Sequence, residues 1–445
     1  MTFADPERYV RKDNAILHRH ENIYYNSGMV GNIEIIKLLL SCNISYTKGI
    51  AAGLAKTGNL RLLQWARDSG CEWDEQTCAN ASLGGHLDVL KWARDSGCKW
   101  NSETCESAAG GEHLDVLEWA HNSGCEWDCY TCAEAALNGH LDCLKYAWKN
   151  GCQWITDVND LGGIFGDADV CGNAAENGHL EILKWARENG CTWDHETCFR
   201  AAENGHLELL QWAMENGCDP GPQICSGAAS GGHLEVLKWV RARGCDWGLY
   251  TCENAARGGH LEVLQWAREN GCDWDDRTCE AAAGGGYLKV LQWARENGCD
   301  WDHRTCTTAS LGGHFELLKW ARENGCDWDR QTFAMAALHG DLEMVKWLRR
   351  DGCEWNSDTC ANAAAGGHLE ILQWLRENGC EWDGNVYKYA AQMGHSEILV
   401  WARDNGCGWD GFQFIDYKHP GIYEWIMENR RDIVRVVRAA EMGKK

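Results

Sequence analysis

Cysteine and histidine side chains can bind metals and carry redox or proton-transfer chemistry, and both recur throughout this 445-residue sequence. One cluster is irregular: Cys125, Cys129 and Cys132 form a C-x3-C-x2-C segment, and Cys143 follows on the next predicted helix. Zinc sites use such spacings. Cys125 and Cys132 also belong to regular series, however, so the single extra residue Cys129 creates the segment. We therefore predict no bound metal, and these four cysteines are the candidate ligands if one binds.

Nearly all the other cysteines, of 26 in total, occupy two repeating positions. One series lies after the second helix, in most units directly after a glycine, and runs from Cys42 to Cys407; the other occupies the position after the recurring threonine and runs from Cys78 to Cys360. Periodic cysteines are most simply small apolar residues that fill equivalent buried sites. A metal-binding or thiol-redox protein that uses these two series is the alternative interpretation.

A histidine recurs at intervals of 27 residues over much of the chain, from His86 to His395. Asn59, Tyr287 and Asp341 take the same position elsewhere, which favours a hydrogen-bonded structural role over metal or proton chemistry. The glycine triplet at 284–286 lacks the Lys and Ser/Thr of a phosphate-binding loop. The sequence contains no H-E-x-x-H or G-x-S-x-G motif. It therefore predicts a protein that is not an enzyme and has no cofactor.

The elements that position these residues follow from a repeating unit of 27 residues, which reads T-C-x-x-A-A-x-x-G-H-L-E-V-L-K-W-A-R-E-N-G-C-D-W-D-x-x. Its second half, such as 261–270, has an apolar stripe at helical spacing, and Gly271 lies where a left-handed residue would end that helix. The Ala-rich first half favours a shorter helix. Threonine hydroxyls are predicted to cap that helix, at Thr77, Thr104, Thr251, Thr278 and Thr305. The pattern predicts about fourteen pairs of short antiparallel helices.

The ends and two interruptions define the predicted domain plan. Residues 1–28 do not fit the unit and are assigned to an N-terminal cap, residues 29–416 to the repeat array, and residues 417–445 to C-terminal capping helices. Twelve extra residues form an insertion near 155–167. In the segment 218–224, Pro220 replaces a loop tryptophan and Ile224 replaces the threonine.

Tryptophan also recurs in two series, one on the second helix (Trp65, Trp92, Trp266) and one in the following loop (Trp73, Trp100, Trp274). Both are interpreted as packing between units. The loop tryptophans have acidic neighbours, which disfavours stacking on nucleic-acid bases.

The net charge of −24 lies mainly in the repeats. It argues against nucleic acid as a partner and favours a protein partner with a basic surface. No apolar run suits a signal peptide or a membrane span. Free thiols indicate a reducing compartment: the cytoplasm, with the nucleus possible, or the host cytoplasm for a viral protein.

The segment from Thr251 to Asp275, T-C-E-N-A-A-R-G-G-H-L-E-V-L-Q-W-A-R-E-N-G-C-D-W-D, resembles an ankyrin repeat. It is six residues shorter, Cys replaces the Pro of the T-P-L-H opening, and the histidine of that opening is absent. Trp- and Cys-rich units of this kind resemble those of large DNA viruses, algae and oomycetes. The resemblance implies an all-α, ankyrin-like helix–turn–helix solenoid without the usual β-hairpin finger. It also implies a non-enzymatic scaffold or adaptor for protein–protein interaction.

Positions that vary between otherwise copied units are free of packing constraints and can recognise a partner. They lie just before the threonine and two to three residues after it, and are predicted to line one edge and the concave face of the stack. Tyrosine and arginine are frequent energetic anchors in interfaces. The candidate protein-binding residues are Tyr130, Arg200, Tyr250, Arg277, Arg304 and Arg330.

Overall fold

The computed structural model describes residues 24–41, 47–154 and 169–408, and in these ranges it contains 28 helices and no strand. The helices form fourteen consecutive pairs, each with a first helix (A helix, odd number) and a second helix (B helix, even number). Their bounds are α1 24–30, α2 Ile33–Ser41, α3 Lys48–Lys56, α4 Leu60–Asp68, α5 Glu75–Leu83, α6 Leu87–Asp95, α7 Glu103–Gly110, α8 Leu114–Asn122, α9 Cys129–Asn138, α10 Leu141–Lys149, α11 Val170–Glu176, α12 Leu180–Glu188, α13 His195–Glu203, α14 Leu207–Glu215, α15 Ile224–Ser230, α16 Leu234–Ala242, α17 Thr251–Arg257, α18 Leu261–Glu269, α19 Asp276–Gly284, α20 Leu288–Glu296, α21 His303–Leu311, α22 Phe315–Glu323, α23 Arg330–His339, α24 Leu342–Arg350, α25 Ser357–Ala365, α26 Leu369–Glu377, α27 Asn385–Gln392 and α28 Ser396–Asp404.

The B helices form as the apolar stripe predicts. In α18, Val263, Leu264 and Ala267 are fully or almost fully buried, whereas Glu262 on the opposite face is exposed. Gly271 follows the helix with a φ of +84°, the left-handed conformation that ends a helix. The Ala-rich A helices pack directly on the A helices of neighbouring repeats, because small side chains let the backbones approach closely. The predicted fold class and the absence of a β-hairpin finger are thus confirmed for the described residues.

The prediction that the threonines cap the A helices is wrong, and in six of these helices an aspartate is the capping residue. Asp194 has an extended backbone, and its carboxylate accepts a hydrogen bond from the Glu196 N–H at 2.9 Å. Thr197 lies inside the first turn, where its buried hydroxyl has no partner among the described residues. The same aspartate caps six A helices: Asp74, Asp128, Asp194, Asp275, Asp302 and Asp329. The residue that caps a helix must precede it in an extended conformation, and the threonine comes too late.

This correction makes a direct prediction for α13. Asp194→Ala should lower the free energy of unfolding by about 1 kcal/mol, because it removes the cap of the helix. Thr197→Val, which replaces a hydroxyl without a partner by a methyl group of similar size, should change stability by less than about 0.5 kcal/mol. Urea unfolding followed by circular dichroism measures both. A larger loss for Thr197→Val than for Asp194→Ala would contradict the assignment.

The described residues divide into two compact bodies. The first contains the chain up to Ala228 together with Glu235–Asp246, and the second contains Ala229–Leu234 together with the chain from Trp247 onward. The irregular segment 218–224, with Pro220 and Ile224, precedes this division. The predicted caps at 1–28 and 417–445 and the insertion near 155–167 fall mostly or wholly outside the described residues. No described helix is long and apolar enough to cross a membrane.

The repeating histidine links consecutive repeats, which confirms its structural role. His260 Nε2 lies 3.0 Å from the carbonyl oxygen of Ser230, thirty residues earlier. Ser230 is the last residue of α15, the A helix of the preceding repeat. The last carbonyl groups of a helix have no hydrogen-bond partner within the helix, and this oxygen belongs to one of them. His179 makes the same contact with the carbonyl of Leu137, forty-two residues earlier, so the twelve extra residues leave this contact unchanged. Equivalent contacts are made by His86, His140, His206, His314, His368 and His395.

The tryptophans pack between repeats, as predicted. In the second body, Trp274 lies edge-on to Trp293 of the next repeat, with ring centroids 5.6 Å apart. The guanidinium of Arg268 lies 4.3 Å from the centroid of the Trp274 ring, an arrangement that sequence position alone did not indicate. Where Pro220 replaces the loop tryptophan, Met214 replaces the arginine. In two other repeats His121 and Trp148 take the place of the arginine and stack on the loop tryptophans Trp127 and Trp154.

Candidate protein-binding surface

The variable residues before each A helix lie in a row, because consecutive A helices pack side by side. We call the residues at the start of α17, α19, α21 and α23 the first-turn row, and all of them belong to the second body. The row contains four of the six predicted binding residues. They are Tyr250, Arg277, Arg304 and Arg330.

Tyr250 is exposed because its repeat lacks the capping aspartate. Gly248 occupies the position of that aspartate, and α17 begins only at Thr251, whose hydroxyl donates to the Gly248 carbonyl at 3.0 Å. Leu249 and Tyr250 therefore lie outside the helix, with 83% and 41% of their surfaces exposed. An exposed leucine beside an exposed tyrosine is a typical contact pair in protein interfaces.

Arg277 lies next to Tyr250 and is held by carboxylates. Its Nη2 lies 2.7 Å from Asp275 Oδ2, and its Nε lies 3.9 Å from Glu253 Oε2. The hydrogen bond from Arg277 lowers the pKa of the Asp275 carboxyl below its ordinary value. The guanidinium carbon lies 5.5 Å from the centroid of the Tyr250 ring. Tyr250 and Arg277 therefore form one contact group from two repeats.

Arg304 is surrounded by three carboxylates from two repeats. Its guanidinium nitrogens lie 2.6 Å from Asp276 Oδ2, 2.9 Å from Asp302 Oδ2 and 3.3 Å from Glu280 Oε2. Burial raises the pKa of the Glu280 carboxyl, although Arg304 opposes this effect. The Arg304 side chain remains 43% exposed. Carboxylates outnumber the arginine at this site, so its surroundings attract a positively charged group.

The other predicted residues are placed differently. Arg330 pairs with Glu354 in the loop after α24, with Nη2 3.0 Å from Oε2. Arg200 lies in the first body, away from the first turn of α13, and its side chain is only 15% exposed because it contacts Glu176 at 3.0 Å. Tyr130 is a partly buried first-turn residue of α9, also in the first body. The structure thus brings Tyr250, Arg277, Arg304 and Arg330 into one row, and Arg200 serves an internal ion pair.

The acidic partners of these arginines were missed at the sequence level. Asp276 and Glu176 lie 28 and 24 residues before the arginines that they pair with, whereas Glu354 lies 24 residues after Arg330. Separations close to one repeat length could have indicated these pairs, since equivalent positions of adjacent repeats are neighbours. The candidate surface therefore consists of arginines and carboxylates together.

In the first body, Glu106 occupies the position equivalent to Glu280, next to further carboxylates. Burial raises the pKa of Glu106, and Asp128, Glu103 and Glu134 raise it further, whereas a hydrogen bond with Ser102 lowers it. A carboxyl whose pKa is raised on folding favours the folded state when it is protonated. Its ionisation therefore costs stability as the pH rises above the ordinary value of 4.5.

Glu106→Gln is accordingly expected to stabilise the protein at pH 7 by about 0.5 kcal/mol, because it removes the cost of burying a charged carboxylate and, secondarily, the repulsion from neighbouring carboxylates. The gain should disappear as the pH is lowered towards 4, where Glu106 itself becomes protonated. Urea midpoints at the two pH values measure the difference. Glu126→Gln, at an exposed loop position of the same body, serves as the control. A gain at pH 4 equal to that at pH 7 would exclude ionisation as the cause.

The candidate metal ligands are not brought together. Cys132 pairs with Cys152 of its own repeat, with sulfur atoms 3.1 Å apart, and Cys125 contacts the carbonyl of Asn101 at 3.2 Å. Cys143 is buried on α10, and burial raises the pKa of its thiol to about 11. Within the described ranges, no three His, Cys, Asp or Glu side chains converge as a metal site would require. The metal-binding alternative is therefore not supported.

These features define a class of protein: stacked pairs of antiparallel helices, joined by short loops, with variable residues along the starts of the A helices. Residues 306–349 match a family model described as ankyrin repeats (many copies). This segment covers nearly two consecutive helix pairs, from α21 to α24, so the chain contains ankyrin repeats. No curated protein sequence matches it. Among solved structures, it is similar to the human ASB11 ankyrin repeat domain, with 16% identity, a TM-score of 0.32, and coverage of 38% of this chain and 84% of that one.

Proposed function

We propose that this protein is a non-enzymatic scaffold or adaptor that binds a protein partner through the first-turn row and the short loops between repeats. Ankyrin repeats are in general modules of protein–protein interaction. The observation that carries the proposal is the row itself. Side chains that differ from repeat to repeat lie together at the starts of helices whose buried residues are nearly constant.

The chemistry of the row favours a partner with a basic segment. Arg304 lies among three carboxylates, and Glu253 lies between Arg257 and Arg277. A lysine or arginine of the partner can use the remaining acceptor positions of these carboxylates, while Leu249 and Tyr250 supply apolar contact. The overall acidity of the chain also speeds encounter with a basic protein.

The test is capture of a partner from the native cell with the full chain as bait. Replacing Tyr250 by alanine, Asp276 by asparagine and Glu280 by glutamine together should abolish recovery of a stoichiometric partner, because this removes the apolar contact and two of the carboxylates that attract its basic segment. A matched variant replaces Glu262, Lys289 and Glu316 by alanine, which are exposed B-helix residues of the same body. This variant should retain the partner. Circular dichroism must show that both variants are folded.

Two outcomes bear on the proposal separately. Recovery that is unchanged in the row variant but lost in the B-helix variant would overturn the assignment of the surface. A partner that stays bound when the salt concentration is raised from 0.1 M to 1 M would contradict the basic segment, because salt screens exposed charges.

A further inference from the structure

The two cysteine series meet inside each repeat as pairs of thiols. The sulfur atoms of Cys132 and Cys152 lie 3.1 Å apart, those of Cys171 and Cys191 3.2 Å, and those of Cys252 and Cys272 3.3 Å. Each pair joins the first turn of an A helix to the loop after the B helix of the same repeat, twenty residues later. Six further pairs with this spacing also interact thiol to thiol, namely 78 with 98, 105 with 125, 198 with 218, 279 with 299, 306 with 326, and 360 with 380.

A second hydrogen bond holds the loop thiol of many pairs in place. Cys152 donates to the carbonyl of Asp128, the residue that caps the A helix of its repeat, at 3.1 Å. Cys299 makes the same contact with Asp275 at 3.2 Å, and Cys326 with Asp302 at 3.3 Å. The paired thiols are therefore buried and fixed in orientation, with each loop sulfur facing its partner.

Three described repeats have no cysteine at the A-helix position of the pair: Ala51 stands opposite Cys71, and the other two repeats serve as natural controls. Phe333 replaces the A-helix cysteine opposite Cys353, and Tyr387 replaces the one opposite Cys407. Both loop thiols, Cys353 and Cys407, are buried and contact a capping-region carbonyl, that of Asp329 or Asp383, at 3.3 Å. Burial raises the pKa of Cys353 to about 12, so this thiol is protonated at neutral pH. These cysteines share the environment of the others but have no second thiol.

We propose that the paired cysteines are sites of reversible disulfide formation, in which each bond closes one repeat by tying its A helix to the loop after its B helix. The sulfurs need to approach by about 1 Å to reach the length of a disulfide bond. The bond would enclose the helix–turn–helix of a single repeat. Oxidation would therefore restrict the unfolding of each repeat without joining separate repeats.

The reaction requires a thiol oxidant, such as a hydroperoxide, a small disulfide or an azo compound. One Sγ–Sγ bond forms, two S–H bonds break, and two electrons and two protons pass to the oxidant. With the azo compound diamide, the N=N bond becomes a hydrazine. A small dithiol reverses the reaction and is itself oxidised to a cyclic disulfide.

The experiment oxidises the folded full chain with diamide, alkylates the remaining thiols in denaturant, and maps tryptic peptides without reduction. Linkages between Cys279 and Cys299 and between Cys306 and Cys326 should form, each with the loss of two hydrogen atoms. They should exceed linkages between different repeats, such as Cys279 with Cys326, by at least about tenfold because of proximity. Cys407 should be recovered alkylated. Dithiothreitol should restore all thiols, and the oxidised protein should unfold at a higher urea concentration.

Two variants complete the test. Cys279→Ser should leave Cys299 alkylated while the other linkages persist. Phe333→Cys supplies the missing thiol and should add a linkage to Cys353, which is unpaired in the natural sequence. Thiols that stay free in the folded chain, or linkages that form between repeats as often as within them, would overturn the proposal. Its failure would leave the proposed binding function untouched, since the cysteines of these helices are buried and none of them is a proposed contact residue.

Discussion

Gly286→Ala should lower the free energy of unfolding by about 3 kcal/mol, whereas Gly298→Ala should lower it by only about 1 kcal/mol. Both glycines have a left-handed backbone, with φ values of +78° and +83°. A Cβ atom at Gly286 would lie 2.5 Å from Cε1 of His314 in the next repeat, but one at Gly298 would have no neighbour within 4 Å. The first substitution therefore combines backbone strain with a collision against the histidine contact, and the second has the strain alone.

Urea unfolding of the two variants measures this difference, and a double variant identifies its cause. In a His314→Ala background the collision partner is absent, so Gly286→Ala should then cost the same as Gly298→Ala. The histidine contacts the carbonyl oxygen of Gly284, so His314→Ala lowers the free energy of unfolding by itself. The double-mutant cycle removes this contribution, because each glycine variant is compared with its own background. Equal losses for the two glycine variants in the natural background would show that the histidine yields to the added methyl group.

Trp274→Ala is expected to lower the free energy of unfolding by about 2 kcal/mol, since a partly buried tryptophan contributes less than the 3–5 kcal/mol of a fully buried one. The substitution removes the edge contact with Trp293 and the surface on which Arg268 stacks. It should also broaden the urea transition, because neighbouring repeats unfold together only while their contacts persist.

The stacked arginine supplies a further test of the tryptophan. Arg268→Ala alone should cost about 1 kcal/mol, but it should cost less in the Trp274→Ala background, because its cation–π partner is then missing. Leu249→Ala, at a position that is 83% exposed in the same body, should cost less than about 0.5 kcal/mol and serves as the surface control. Additive losses for Arg268 and Trp274 would show that the two side chains act independently.

The helices and their order could be predicted from the sequence because each B helix has an apolar stripe and a glycine stop. Leu264 and Gly271 lie where the pattern placed them. A structural role for the repeating histidine could also be predicted, because Tyr287 and Asp341 take its position in two repeats. Packing between repeats could likewise be predicted for the tryptophans. At Asp341 the structure shows how this is tolerated. The carboxylate caps α24, and His339 lies against Gly313 in place of the missing ring.

Contacts between side chains were harder to predict from the sequence. The period shows which positions of adjacent repeats are neighbours, but it does not show in which direction each side chain points. Thr305 and Asp302 are both able to cap a helix, and only the backbone conformation shows that Asp302 does so. The sequence predicts Arg304 as a protein-binding residue, but it does not show that carboxylates at three other positions surround this arginine. The two cysteine series were recognised separately, and their meeting within each repeat depends on the turn between helices A and B.

The histidine, cysteine and tryptophan contacts each join residues at a fixed separation in the sequence, and these separations determine how such a chain can change length. His260 bonds thirty residues back, Cys272 meets Cys252 twenty residues back, and Trp274 meets a tryptophan nineteen residues ahead. All these partners recur with the 27-residue period. Excision or duplication of any 27 consecutive residues between 251 and 331 therefore returns each of them to an equivalent partner, wherever the cut falls. A gene built from this unit can gain or lose one copy in a single recombination event, and we expect the product to fold without a compensating mutation.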